Sequence, residues 1–250
     1  MIAHRILVVV PTYNERENIG LLIRSLFAQS SNLDVWVVDD GSPDGTGAAV
    51  REAMAEFPGR VELLERPQKG GRGSAVIAAF RRALVDPRGY VIFFEMDADF
   101  SHHPREIPRF LESLKHHDMV IGSRYVPGGG TSEWGRSRAI LSRLANKYVR
   151  LVVGLPVRDL TSGYRAYRRE VLEAIDFDRI RIKGYAVYGE VAYQAWIHGF
   201  RLGEVPIHFR NRRRDASKLT WEEIYMAFFN FSLLRFRYGF RPRRFPAPSE

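Results

Sequence analysis

The chain has 250 residues, 45% of them hydrophobic, which suffices for one substantial core, and α/β folds of this length commonly stay a single domain. It has no cysteine, which excludes disulfide frameworks and thiolate metal sites, and its formal net charge of +9 favours anionic partners such as nucleotides, lipid headgroups or nucleic acid. The first apolar run, residues 6–10, is stopped by Pro11 and is too short for the apolar region of a secretory signal, and no later run approaches the roughly 20 apolar residues of a membrane-spanning helix. A cytosolic or peripheral protein is expected. In chain order, short apolar runs rich in β-branched residues cover 6–10, 35–38, 61–64, 91–94 and 119–121. They alternate with helix-spaced segments over 18–27 and 74–84, and with a third, 104–114, that opens on Pro104. Runs that are apolar throughout suit strands buried on both faces of a parallel sheet. A loop at Pro127-Gly128-Gly129-Gly130 precedes a helix over 137–153, ended by Gly154 and Pro156. Residues 221–240 combine many aromatics with arginines, and a Pro- and Arg-rich tail follows. The fold class is α/β: a Rossmann-like single domain with a mainly parallel central sheet.

Chemistry-bearing residues gather directly after these strands, where open α/β sheets bind ligands. Pro11-Thr12-Tyr13-Asn14-Glu15 offers an aromatic and an acid to a nucleotide base, or reads as a strand-to-helix turn capped by Thr12 or Asn14. Asp39-Asp40-Gly41-Ser42-Pro43-Asp44-Gly45-Thr46 presents adjacent carboxylates to a base or ribose, although half of it has plain turn chemistry. Lys69-Gly70-Gly71-Arg72-Gly73 is a basic glycine turn whose N–H groups suit a phosphate, and it matches neither a Walker A loop nor a complete dinucleotide fingerprint. The most informative stretch runs from Glu95 to Pro104, where Asp97 and Asp99 stand one residue apart after a buried strand. Hard oxygen ligands so placed suit Mg²⁺ or Mn²⁺ carrying a substrate phosphate. His102 and His103 are candidate bases, and the turn before Pro104 explains them as well.

Read in order, these motifs resemble a family 2 glycosyltransferase, and more narrowly the dolichyl-phosphate (polyprenyl-phosphate) mannosyltransferases. The resemblance continues through Gly122-Ser123-Arg124-Tyr125, Trp134, Arg136, Arg138, Asn146, Asp159-Leu160-Thr161-Ser162-Gly163-Tyr164-Arg165, Gly184-Tyr185, Glu190 and Ser217-Lys218, roughly residues 5 to 220. It implies a GT-A-type catalytic domain over 1–220, an amphipathic helix over 221–240 for a membrane-interface or partner contact, and a flexible tail over 241–250. It also implies GDP-mannose as donor, Mg²⁺ or Mn²⁺ as cofactor, and inverting transfer of mannose to a polyprenyl monophosphate on the cytoplasmic face of a membrane. A membrane-embedded partner subunit fits a chain without spanning helices.

Carried over by position, Pro11, Tyr13, Glu15, Val38 and Asp40 surround the guanosine, while Asp97, Ala98 and Asp99 meet ribose, diphosphate and metal. Ser101, where many relatives carry glutamine, is the further metal ligand. Arg124, Arg212 and Lys218 fall near the donor and acceptor phosphates and, with Asp99, make the catalytic set. Arg136, Arg138 and Ser142 are assigned to the acceptor phosphate. Segment 209–218 departs from the usual pattern: it is richer in arginine and carries Asp215-Ala216 where a glycine is often found.

The chemistry stands apart from the family. A phosphate monoester has a second pKa of about 6 and attacks largely as a dianion at neutral pH, so the site needs charge neutralisation and positioning more than a base. Two rivals remain: a related transferase using UDP-glucose or another UDP-sugar, and a non-catalytic nucleic-acid-binding protein suggested by charge and interleaved aromatics. The second leaves the Asp97-Ala98-Asp99 pair without a purpose, and no nucleic acid is expected.

Overall fold

The computed structural model describes residues 5–132, 136–180, 187–210, 231 and 233–239. Arg212 and Lys218 lie outside the described residues, as do Trp134, Gly184, Tyr185, Ser217 and most of 221–250. Seven strands form one sheet in the order β3-β2-β1-β4-β7-β5-β8. They are β1 (Ile6–Thr12), β2 (Leu33–Asp39), β3 (Val61–Glu65), β4 (Ile92–Glu95), β5 (Met119–Ser123), β7 (Arg165–Arg168) and β8 (Leu202–Pro206). All neighbours run parallel except β7, which is antiparallel to both β4 and β5. Two short strands, β6 (Gly130–Ser132) and β9 (His208–Arg210), form a separate parallel pair.

The five apolar runs are the strands β1 to β5, each longer than its run by one to three residues except β4, which is shifted one residue along. Every residue of β2 and β5 is buried, as strands covered on both faces require. The covering helices are α1 (Arg16–Phe27), α2 (Thr46–Glu56), α3 (Arg72–Leu84), α4 (Ile107–Ser113), α5 (Arg136–Val153), α6 (Arg169–Ala174) and α7 (Val187–Ile197). On α1, Ile19, Leu22, Ile23 and Leu26 recur at helical spacing and are fully buried, each side chain contributing about 1.5–3 kcal/mol of transfer free energy. The two faces of the sheet carry separate apolar clusters. One holds Trp36, Phe80, Phe93 and Tyr167, and the other holds Phe94, Phe110 and Tyr164.

Two expectations change. The segment 104–114 divides into a 3-10 turn at Pro104–Glu106 and α4, because His103 caps the turn by accepting from the Arg105 N–H. Gly130 belongs to β6 rather than to the preceding loop. The described part of 221–240 buries Phe231 and Leu234 in the core, and Phe231 lies against Gly189 so closely that a Cβ there would overlap its ring. The end of α5 is as expected: Gly154 adopts a left-handed φ of 76° and donates to the Arg150 carbonyl.

Candidate active site

The chain order reverses between β1 and β4, since β2 and β3 lie on one side of β1 and β4 on the other. The crevice at the carboxyl ends of such neighbours is where α/β sheets bind ligands. It receives Thr12 to Glu15 from β1, Asp39 and Asp40 from β2, and Glu95 to Asp99 from β4. Because β7 is antiparallel, its leading loop, Asp159 to Tyr164, reaches the same edge, with Arg165 opposite Glu95.

The two acids after β2 have different tasks. Asp39 accepts from Thr12 Oγ1 at 2.8 Å, Ser42 N at 2.9 Å and Ser42 Oγ at 2.6 Å, and Ser42 Oγ in turn accepts from Asn14 N at 2.9 Å. Asp44 accepts from Thr46 and Arg16 backbone N–H groups, and Thr46 Oγ1 accepts from Glu15 N. These bonds lock the β1 and β2 turns together and set Asn14 at φ 60°, a region asparagine tolerates. Asp40 faces the crevice. Its Oδ2 accepts from Gly70 and Gly71 N–H at 3.0 and 3.1 Å, so the glycine turn does bind an anion, supplied here by the protein itself. Asp40 Oδ1 and Arg66 Nη1 lie 3.0 Å apart as an ion pair, yet neither buried atom has an aligned hydrogen bond. Val38 is buried beneath, Glu15 is buried and accepts from Asn18, and the half-exposed Tyr13 ring carries the Lys69 ammonium 4.0 Å from its centroid.

At the end of β4 the acids meet a cation from α3. Arg72 donates to Asp97 through Nε, to Glu95 Oε2 at 3.0 Å and to the Gly163 carbonyl at 2.7 Å. Burial opposes its charge, but Asp97 and then Glu95 outweigh it and raise its pKa. The other Glu95 oxygen accepts from Tyr167 OH at 2.6 Å. Glu95, Asp97 and Asp99 against Arg72 leave a local charge of about minus two, suited to a divalent cation. Asp99 Oδ1 accepts from Ser101 N at 3.0 Å, and Ser101 Oγ is buried without a hydrogen-bond partner. Among the described residues no group of three or more His, Cys, Asp or Glu side chains could hold a metal. Two carboxylates and an orphaned hydroxyl nevertheless fit a cation that takes its remaining oxygens from a bound phosphate. Ala98, between the two acids, is buried.

His102 serves this turn. Its Nδ1 accepts from the Asp97 N–H at 3.0 Å and its ring stacks on Tyr164. Burial, together with Arg72 and Arg124, lowers its pKa despite Asp97 and Asp99, so it stays neutral with the proton on Nε2. It shapes the loop, as the turn reading of His102 and His103 requires.

Arg124, after β5, is buried and bidentate to Asp159, with Nε–Oδ2 and Nη2–Oδ1 both 2.7 Å; it also donates to Thr161 Oγ1 at 2.7 Å. Burial opposes the Asp159 charge, and Arg124 overrides it, lowering the carboxyl pKa. The loop is pinned to α5 because Asn146 Oδ1 accepts from Leu160 N, while Ser142 Oγ meets Tyr125 OH at 2.6 Å. Ser142 thus borders the site. Arg136 and Arg138 lie in the first turn of α5, with side chains outside the described set. Sequence reasoning missed the partner roles of Arg72, Glu95, Asp159 and Tyr167, although an arginine inside a glycine turn was a usable signal for the first.

The glycosyl transferase family 2 model matches residues 7–176. A polyprenol monophosphomannose synthase from Mycolicibacterium smegmatis is 45% identical over 226 residues, covering 90% of this chain and 84% of that protein. An undecaprenyl-phosphate mannosyltransferase from Micrococcus luteus is 45% identical over 216 residues, covering 86% and 88%. Among solved structures, glucosyl-3-phosphoglycerate synthase from Mycobacterium tuberculosis, in complex with Mn²⁺, UDP and phosphoglyceric acid, superposes with a TM-score of 0.67 at 20% identity. That match covers 96% of this chain and 80% of the other and shows a shared fold.

Proposed function

Because the chain belongs to glycosyl transferase family 2, we propose that it transfers mannose from GDP-mannose to a polyprenyl monophosphate, with inversion and with Mg²⁺ or Mn²⁺ at the donor diphosphate. The observation that carries this reading is the pairing of Asp97 and Asp99 with the orphaned Ser101 hydroxyl at the sheet's switch point, in a chain 45% identical to two polyprenyl-phosphate mannose transferases.

In this reading Tyr13, Asp40 and the Gly70–Gly71 turn receive the nucleoside, the base or ribose competing for the Asp40 oxygens. Asp97, Asp99 and Ser101 hold the cation, which supplies Lewis-acid stabilisation to the departing diphosphate when bound. Arg72 neutralises part of the acid cluster and fixes one Asp97 oxygen. The acceptor phosphate attacks the anomeric carbon from the face opposite the diphosphate. As a dianion it needs no base, in keeping with a neutral His102 whose Nδ1 is already engaged. Arg212, Lys218 and the first turn of α5 supply the positive charge that brings acceptor and donor phosphates together. In this reading the protein works at the surface of the membrane that carries its acceptor; none of the described helices is long and apolar enough to cross a membrane.

The test is transfer of radiolabelled sugar to extracted polyprenyl phosphates from GDP-mannose and UDP-glucose side by side, with and without EDTA. Mannose transfer abolished by EDTA is the expected result. Use of UDP-glucose alone overturns the donor assignment, and EDTA-resistant transfer overturns the cation. Asp99→Ala is expected to lower transfer at least about a hundredfold, the scale of losing one preorganised charge-stabilising group, while the melting temperature changes little.

A further inference from the structure

We propose that Arg72 is a positioning residue that withholds Asp97 from a divalent cation until a nucleotide diphosphate is present, so that cation and nucleotide bind together. The inference rests on the cation at Asp97 and Asp99 in the proposed function and adds what controls its entry. Arg72 already holds the position of a counter-ion there. Its Nε donates to Asp97 Oδ1, so an oxygen that a cation would use is engaged by a fixed positive charge.

The place of this guanidinium is built into the fold. Nη1 donates to Glu95 Oε2 at 3.0 Å, Nη2 donates to the Gly163 carbonyl at 2.7 Å, and the Tyr188 ring centroid lies 4.9 Å from Cζ. A Cβ on residue 163 would stand 2.7 Å from Cζ, so the glycine makes room for the arginine. These partners are not equivalent to Asp97. The Glu95 side chain is 3% exposed and its second oxygen accepts from Tyr167, whereas the Asp97 side chain is 20% exposed and within reach of a ligand. Arg72 can therefore give up Asp97 and keep Glu95, Gly163 and Tyr188: the inner contacts hold the side chain and the outer one is exchangeable.

Charge decides when the exchange occurs. Mg²⁺-type ions commonly take one or two carboxylates from a protein and complete their shell with substrate phosphates and water. Without the phosphates, a divalent ion would have to displace the guanidinium and then sit beside it. Like charges a few ångströms apart in partly buried surroundings change affinity by orders of magnitude. A diphosphate supplies both the missing oxygens and negative charge that offsets Arg72. Metal without donor is thereby disfavoured, and the acid cluster stays paired between turnovers.

The experiment reads unbound Mn²⁺ by electron paramagnetic resonance during titration of the full chain with no nucleotide, with GDP and with UDP, corrected for Mn²⁺ held by the nucleotide alone. The wild type is expected to bind Mn²⁺ at least about tenfold more tightly with GDP. R72M/E95Q removes one charge of each sign and leaves the local net charge as it is in the wild type, so a change in affinity reports the release of Asp97. Without nucleotide it is expected to bind Mn²⁺ at least about tenfold more tightly than the wild type, with a correspondingly smaller gain from GDP. Damage to the fold would weaken binding, so a gain separates this role from a merely structural one. Arg72→Gln, which keeps an N–H donor and leaves Glu95 in place, carries the same expectation where the double variant is too unstable, and circular dichroism melts check both. The proposal is overturned if the folded variants bind Mn²⁺ without nucleotide no more tightly than the wild type, or if neither nucleotide raises the wild-type affinity. A gain from UDP alone refutes the donor assignment and leaves the role of Arg72 standing. If the wild type binds Mn²⁺ under no condition, the proposed cation falls and this inference with it.

Discussion

Replacing Asp159 by asparagine tests whether the Arg124 pair is a structural clamp. Asp159 is fully buried and accepts Nε at 2.7 Å, Nη2 at 2.7 Å and the Arg124 backbone N–H at 3.0 Å, while Arg124 is only 8% exposed. The amide keeps one acceptor oxygen, so at least one charge-assisted bond, worth about 1.5–3 kcal/mol, is lost. The guanidinium then remains in the interior without the Asp159 carboxylate. Breaking a buried pair from one side costs about 3–5 kcal/mol, which for a chain of this length lowers the melting temperature by about 10 °C. Scanning calorimetry and urea denaturation of Asp159→Asn measure this. A cost below about 1 kcal/mol would refute the clamp, because a buried arginine cannot lose its carboxylate partner so cheaply. The double variant R124M/D159L removes both charges and is expected to recover most of the stability. Its transfer activity then separates the two roles: an inactive but stable double variant assigns Arg124 to a phosphate, and an active one confines it to the clamp.

Two further outcomes follow from the paired charges. Arg72→Met leaves Glu95 and Asp97 without their cation and is expected to cost about 3–5 kcal/mol; adding Glu95→Gln recovers part of it, because Tyr167 OH can still donate to the amide oxygen, and a double variant no more stable than the single would contradict the pairing. For pH, Asp44, Asp86, Asp118 and Asp159 all have lowered pKa values in the folded chain, each held by hydrogen bonds or arginines that outweigh burial where burial is the larger opposing influence. Their stabilisation is complete above the unfolded aspartate value of about 3.9 and is lost as pH falls through the lowered values. The urea midpoint is therefore expected to fall steadily below about pH 4; a midpoint indifferent to acid there would remove these carboxylates from the account.

How much of this was legible in the residues depends on what each element spends its side chains on. The first five strands announced themselves because both faces are covered, so every side chain could be apolar, and the site acids followed them at once, where a switch point collects ligands. The helix α2 gave a weak signal: its sequence Thr-Gly-Ala-Ala-Val-Arg-Glu-Ala-Met-Ala-Glu buries only Thr46, Gly47, Val50 and Ala53. Glu95 was in view at the end of its run, but its role required knowing that Arg72, 23 residues earlier, returns to it.

The strand β7 was hidden for a different reason, and that reason bears on the site. It lies between β4 and β5, yet it begins and ends with arginine and has no apolar run. Arg165 is fully buried, and its guanidinium donates to the carbonyls of Leu160, Ser162 and Tyr188 at 2.5–2.9 Å. A central strand can carry so polar a residue because the guanidinium is paired with backbone carbonyls, which belong to the loop leading into β7 and to α7. The reversed direction of β7 brings that loop to the ligand edge, and Arg165 fixes it there. Arg165, one of the residues that make β7 illegible as a strand, is therefore one that holds the loop carrying Asp159, Thr161 and Gly163 beside Arg124 and Arg72. Pattern reading by hydrophobicity fails at this point because Arg165 is there to bind the loop's carbonyls rather than to fill the core.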